Sequence, residues 1–343
     1  MKTKKIGYVC LCIFLCFFLI NGCETVNKNR EESTQHIRKK DPVSTGNKKR
    51  IVCTTFPQYD WVRQILGENR DQFDVTLLLN NGVDMHSYQP TVRDMAAVGT
   101  ADLFIYVGGE SDTWVKDALK EAKNPDLKDI NLMNVLGNSV KEEEIIKGMK
   151  ESSHGHGHEH EEEEPEYDEH IWLSVKNART LVSNISKSIQ EIDPEHAKIY
   201  QSNTKKYETA LQNLDRKFEK TIKNGKYKAV VFGDRFPFRY LTDDYHLTYY
   251  AAFVGCSAET MAGFETVTYL ADRINTLNLP AILIIENSDG RIAHAIKENT
   301  GTKNQKILTM DSLQSVTEEK IESGLTYLGV MEKNQKILKQ ALN

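Results

Sequence analysis

After residue 48 the spacing of apolar positions switches repeatedly between two periods. The short β-rich runs "RIVCTTF", "DVTLLLN", "DLFIYVG" and "KDINLMNVL" read as strands. Between them, "YDWVRQILG", "TVRDMAAVGT" and "SDTWVKDALKEA" place apolar residues three and four apart, as an amphipathic helix does. The alternation returns later, with "KYKAVVFGD", "LTYYAAF", "AILIIEN" and "KILTMDSL" as strands and helices around 264–276, 291–300 and 317–342. Strands alternating with helices of this length imply parallel sheets. Between the two series, helical periodicity covers 175–192 and then "DPEHAKIYQSNTKKYETALQNLDRKFEKTIKNG". This second stretch opens with Asp193 as N-cap and Pro194 at the first helical position, and closes at Gly225. At roughly 45 Å it is longer than one small domain needs, and reads as a rigid connector. The expected architecture is α/β, two Rossmann-like lobes (49–192 and 226–343) with parallel sheets, joined by one long linking helix (193–225).

The first 48 residues break this pattern. "MKTKK" is a positive segment, "IGYVCLCIFLCFFLI" is apolar but short for a stable span, and "INGC" ends at Cys23. Residues 1–22 therefore read as a secretory signal, excluded from the fold. The pattern resembles a bacterial lipobox, in which Cys23 becomes the lipidated first residue; a plain signal peptide or an anchor helix is the alternative. Residues 23–48 are polar, lack periodicity and read as a flexible tether.

A formal charge of −5 offers no basic surface for nucleic acid. No later stretch is apolar for long enough to span a bilayer. Of the six cysteines, Cys10, Cys12 and Cys16 leave with the signal and Cys23 would carry lipid. Cys53 and Cys256 remain, too few for a thiolate zinc cluster. They are either buried free thiols or one bridge between the lobes, which would restrict opening.

"SSHGHGHEHEEEEPEYDEHIWL" packs five histidines and a run of acids into residues 152–173. Its first four, His154, His156, His158 and His160, alternate with Gly and Glu in sequence that cannot bury enough apolar surface to fold alone. They suit weak zinc collection by changing sets of imidazoles, or no more than a solvated loop. The fifth, His170, precedes "IWL", where ordered sequence resumes.

In open parallel sheets ligands bind outside the carboxyl ends of the strands. Metal-capable side chains at such positions are His86 in "NGVDMHSYQP", His170, Asp234 ending "AVVFGD" and Asp311 ending "KILTMD". Taken singly, a histidine is more often a surface or core residue, and an aspartate after a strand a turn former. Taken jointly, two from each lobe match a divalent ion: imidazole suits zinc, and carboxylates also suit manganese. Glu286 after "AILIIE" and Glu259 in "GCSAET" compete as ligands, but orienting an imidazole suits them better.

The motifs "NGVDMHSYQPTVRD", "DEHIWLSVKNA", "FGDRFPFRYL" and "LTMDSL" resemble those of cluster A-I (cluster 9) substrate-binding lipoproteins, the zinc- and manganese-binding components of bacterial ABC importers. The likeness runs from about residue 50 to the C-terminus. It implies two histidines from the N-lobe, matched by His86 and His170, and two ligands from the C-lobe, the last matched by Asp311. The third position departs from the pattern, since Asp234 stands where many zinc members carry histidine and many manganese members glutamate. A His-rich loop before the second motif is frequent among zinc members, which tilts the expectation towards Zn²⁺, while two core carboxylates pull towards Mn²⁺.

The expected function is therefore a monomeric, non-enzymatic binding protein, lipid-anchored outside the cytoplasmic membrane. It would hand one divalent ion to an ABC permease and its ATPase. A metallohydrolase is disfavoured, because catalytic zinc keeps a position open for water and the chain has no H-E-x-x-H motif. A metal-binding adhesin or sequestering surface protein on the same scaffold is the remaining alternative.

Overall fold

The computed structural model describes residues 48–149, 166–257 and 261–343. The signal, Cys23, nearly all of the tether, the four loop histidines and Glu259 lie outside them. Among the described residues, no helix is long and apolar enough to cross a membrane.

The first lobe holds β1 (Lys49–Cys53), α1 (Phe56–Leu66), β2 (Phe73–Leu77), α2 (Val92–Gly99), β3 (Leu103–Tyr106), α3 (Val115–Lys120), β4 (Lys128–Asn131), α4 (Leu132–Leu136) and α5 (Val175–Ile192). The long α6 (Ala197–Asn224) follows. The second lobe holds β5 (Ala229–Phe236), α7 (Arg239–Asp244), β6 (Thr248–Val254), α8 (Phe264–Leu277), β7 (Ala281–Ile285), α9 (Arg291–Glu298), β8 (Lys306–Met310), α10 (Glu318–Glu322) and α11 (Tyr327–Ala341). Both sheets have four strands, all parallel, in orders β2-β1-β3-β4 and β6-β5-β7-β8. Each order reverses beside its first strand, the kind of switch point where such sheets bind ligands.

Three expected elements differ in detail. "KDINLMNVL" is a strand only to Asn131, whose side chain accepts the Asn134 N–H and starts α4 instead. The helix expected over 317–342 breaks into α10 and α11 at Ser323–Gly324, where Gly324 has φ +90°. Asp193 and Pro194 do start the connector, but through a short 3-10 turn, and the Asp193 carboxylate accepts from His196 Nδ1 and the Tyr200 hydroxyl.

In α6 the buried side chains Tyr200, Thr204, Tyr207, Leu211, Leu214, Phe218 and Ile222 form one helical stripe. That stripe packs on α1 and α5 from the first lobe and on α11 from the second. One hydrophobic core consequently runs unbroken from the first sheet to the inner face of the second, rather than as two separate cores. A smaller cluster lies between the second sheet's outer face and α8 and α9. Polar links cross the same boundary: Gly82 N–H to Val316 O at 3.0 Å, Trp172 Nε1–H to Ser312 O at 2.8 Å, and Arg235 to Asp84 at 2.6 Å.

Candidate metal centre

His86 sits in a 3-10 turn beyond β2, where the Asp84 side chain accepts its backbone N–H at 3.1 Å. His170 leads into a second such turn, Ile171–Leu173, after which Ser174 caps α5 by accepting the Asn177 N–H at 2.9 Å. The two rings, both carried by the first lobe, meet with Nε2 to Nε2 at 3.2 Å.

Each ring is held by its other nitrogen. His86 Nδ1 lies 3.0 Å from Ser111 Oγ, which in turn donates to Glu169 Oε2. His170 Nδ1 lies 3.0 Å from Asp168 Oδ1. Such carboxylate partners fix the Nδ1–H tautomer and leave the Nε2 lone pair for a metal. The Glu169 carboxylate is seated by the Ser111 N–H at 2.7 Å and packs against Gly109. Gly109 has φ +80°, and a Cβ there would stand 2.4 Å from Glu169 Oε1, so any side chain would displace the carboxylate behind His86. The Gln314 Oε1 also approaches, 2.9 Å from His170 Nε2. With both rings in that tautomer, two imidazole lone pairs face one another beside the Gln314 amide, an arrangement that a bound cation satisfies.

The charges agree with that reading. Burial opposes a charge on Glu169, but the His86 ring and the Ser111 donors outweigh it and hold the carboxyl below the usual range. Burial likewise opposes a charge on His170, yet Asp168, Gln314 and Glu169 raise its affinity for a proton above the ordinary value of 6.5. Metal needs the neutral ring, so the proton competes with it. Zinc affinity should therefore fall as pH drops, starting above 6.5. Titrations between pH 8 and pH 6 check this, and Asp168→Asn should move the onset to lower pH.

The four ligands expected from sequence do not converge. Among the described residues, the group of three His, Cys, Asp or Glu side chains whose ligand atoms all lie within 4.8 Å of one another is His86, His170 and Cys256, without Asp234 or Asp311. Asp234 occupies an irregularity in β5, where the pairing with β6 shifts between Phe232 and Arg235. Its Oδ1 accepts the Arg235 N–H at 2.8 Å, and its buried Oδ2 has no hydrogen-bond partner. It lines a cleft of about 530 Å³ with Asp84, Arg235, Glu286 and Gln314. Asp311 uses its Oδ1 to cap the turn, accepting the Leu313 N–H at 2.9 Å. Glu286 accepts from the Ser312 N–H at 2.7 Å and its hydroxyl at 2.6 Å, and burial, with Asp311 nearby, pushes its carboxyl up. It positions the β8 loop rather than an imidazole. Cys53 and Cys256 are both free, with no bridge between the lobes.

Gln314, Ser111 and Asp168 were not singled out from sequence. The available signal was positional: Gln314 follows β8 in the same loop as Asp311, and Asp168 and Glu169 directly precede His170.

A histidine pair at the carboxyl ends of parallel strands, in the cleft of two α/β lobes braced by one long helix, defines a two-lobed solute-binding protein. The chain belongs to the family described as zinc-uptake complex component A, periplasmic, whose model matches residues 51–341. It is 29% identical over 330 residues to the high-affinity zinc uptake system protein ZnuA of Bacillus subtilis (strain 168), covering 96% of each chain. It is also 29% identical over 293 residues to the zinc-binding lipoprotein AdcA of Streptococcus pneumoniae, covering 84% of this chain and 55% of that protein. Among solved structures, the Zn(II)-bound ZnuA-like domain of Streptococcus pneumoniae AdcA matches with TM-score 0.66 and 27% identity, over 86% of this chain and 99% of the domain. The metal-dependent lipoprotein YcdH of Bacillus subtilis gives TM-score 0.67 and 26% identity, over 86% of this chain and 99% of that one. The laminin-binding protein Lmb of Streptococcus agalactiae shares the fold alone, at 22% identity, TM-score 0.67 and coverage of 86% and 100%.

Proposed function

We propose that this chain captures one Zn²⁺ ion outside the cytoplasm and delivers it to an ABC permease driven by its ATPase. The observation that carries the reading is the 3.2 Å approach of His86 Nε2 and His170 Nε2, each ring braced through Nδ1. Tetrahedral zinc with bonds of about 2.0–2.1 Å to nitrogen sets two nitrogens about 3.3 Å apart. The family membership and the zinc named in the relatives' descriptions support the same metal. Zinc here is cargo, held until a partner opens the cleft.

The continuous core and the cross-lobe hydrogen bonds favour a small opening movement over a wide hinge. Loosening the Arg235–Asp84 ion pair, both of whose residues line the cleft, is the motion best placed to release the ion. A lipid on Cys23, with residues 24–48 as a tether, would keep the protein beside its permease. The lobe limits in this reading are 49–192 and 226–343, with 193–225 between them.

Metal analysis of protein purified without added metal tests the reading: about one zinc per chain is expected, and zinc-free protein that refuses added zinc would refute it. The His/Glu tract is assigned to collection. Deleting residues 153–164 should remove the weak additional zinc sites and leave the tight one, as read by titration calorimetry; loss of the tight site would end that division of labour.

A further inference from the structure

Cys256 is the member of the three-residue cluster to which zinc capture by the two histidines gives no task. Its sulfur and the ligand atoms of His86 and His170 all lie within 4.8 Å of one another. In tetrahedral zinc with Zn–N about 2.0–2.1 Å and Zn–S about 2.3 Å, nitrogen and sulfur donors stand about 3.6 Å apart. A small inward movement therefore brings the sulfur to bonding range.

The chain holds the thiol there from both sides. β6 ends at Val254, and Gly255 lies against the His170 ring. A Cβ on Gly255 would stand 3.1 Å from both Cε1 and Nδ1 of that ring, so glycine is what lets the strand end approach it. The Cys256 N–H donates to Glu143 Oε1 at 3.0 Å, tying the residue to the segment before the His/Glu tract. The sulfur forms no disulfide. The Gln314 Oε1, 2.9 Å from His170 Nε2, supplies a fourth donor atom on the remaining side.

We propose that Cys256 is the third protein ligand, its thiolate joining His86, His170 and the Gln314 amide oxygen around the ion. The proposal rests on the zinc-capture reading and adds the basis of its selectivity. On binding, the S–H bond breaks and its proton passes to solvent, while a sulfur lone pair forms the Zn–S bond. One thiolate also offsets half the charge of the ion, which Asp234 and Asp311 do not do by direct bonding. Soft thiolate favours zinc over manganese, whereas a carboxylate at the same place would suit manganese.

The test uses Co²⁺ as a spectroscopic probe in the full chain and its Cys256→Ser variant, so that all other cysteines contribute equally. The expected result is one Co²⁺ per chain with visible ligand-field bands, and a near-ultraviolet sulfur-to-cobalt band present in the wild type and missing in C256S. Zinc affinity of C256S should fall by at least the roughly 10–100-fold that loss of an outer hydrogen-bond partner costs. Its preference for Zn²⁺ over Mn²⁺ should narrow. Stoichiometric cobalt binding with no band that depends on Cys256, and unchanged zinc affinity, would overturn the proposal and leave the histidine pair standing. Failure of the wild type to bind either ion would overturn the zinc-capture reading itself. A second measurement needs no variant: stoichiometric Zn²⁺ should slow alkylation of Cys256, read by peptide mass, and equal rates with and without zinc would count against the proposal.

Discussion

Replacing His170 with alanine should abolish tight zinc binding, lowering affinity by more than the roughly 10–100-fold expected when an outer partner is lost. The imidazole is fully buried, and its two nitrogens are committed, one to Asp168 and one to the cleft. Alanine removes a donor atom and also leaves Asp168 as a buried carboxylate without the ring it orients. Water can replace the lost nitrogen as a ligand, but it brings no imidazole basicity and no fixed position. Asp168→Asn is the graded comparison: it keeps the ligand and weakens only its orientation, so it should fall within the outer-partner range. Competition with a zinc-binding dye measures both. Wild-type affinity in His170→Ala would remove the residue from the site.

The second large effect is on stability. Trp172 is 1% exposed and packs two residues from His170, with its ring centroid 5.4 Å from the imidazole. Its indole N–H donates to Ser312 O at 2.8 Å, and its own carbonyl accepts from the buried Tyr327 hydroxyl at 2.6 Å. The side chain thus joins the turn that carries His170 to the loop after β8 that carries Gln314. Trp172→Ala should cost about 3–5 kcal/mol, the range for emptying a large aromatic site in a core. Trp172→Phe keeps most of the packing and strands the Ser312 carbonyl, so about 1–3 kcal/mol is expected from that orphaned group. Denaturant unfolding of metal-free protein gives both numbers without the added stabilisation that bound zinc would lend. If Trp172→Ala unfolded with an unchanged midpoint, the two loops would not be coupled through this ring.

Much of the fold was legible because both of its periods are local. Strands buried on both faces left apolar runs such as "AILII", and α5 repeated its apolar side chains at helical spacing from Val175 to Ile189. The continuity of the core was not legible, since it depends on how the α6 stripe is shared by α1, α5 and α11, which no single segment encodes. In the site, His86 could be read from its position beyond β2, His170 from its place where ordered sequence resumes at "IWL", and both from the motifs around them. The second lobe's part in the site was less legible, for a physical reason. Asp311 follows β8 and its Oδ1 accepts the Leu313 N–H of the turn it begins, whereas Asp234 lies within β5 at the shift in pairing and its Oδ1 accepts the neighbouring Arg235 N–H. The groups that do face His170 are an amide and a thiol, residue types with weak sequence signals of their own. Gln314 is chosen by the path of the loop after β8, and Cys256 by the close approach of Gly255 to the ring.

The central claim, a zinc site built on the His86–His170 pair, is tested most directly by competition between Zn²⁺ and Mn²⁺ for the metal-free full chain. Two imidazoles with softer partners should retain one zinc per chain against a manganese excess of about 100-fold, since nitrogen and sulfur donors favour zinc over manganese. Equal occupancy by the two metals, or displacement of zinc by manganese, would contradict the account.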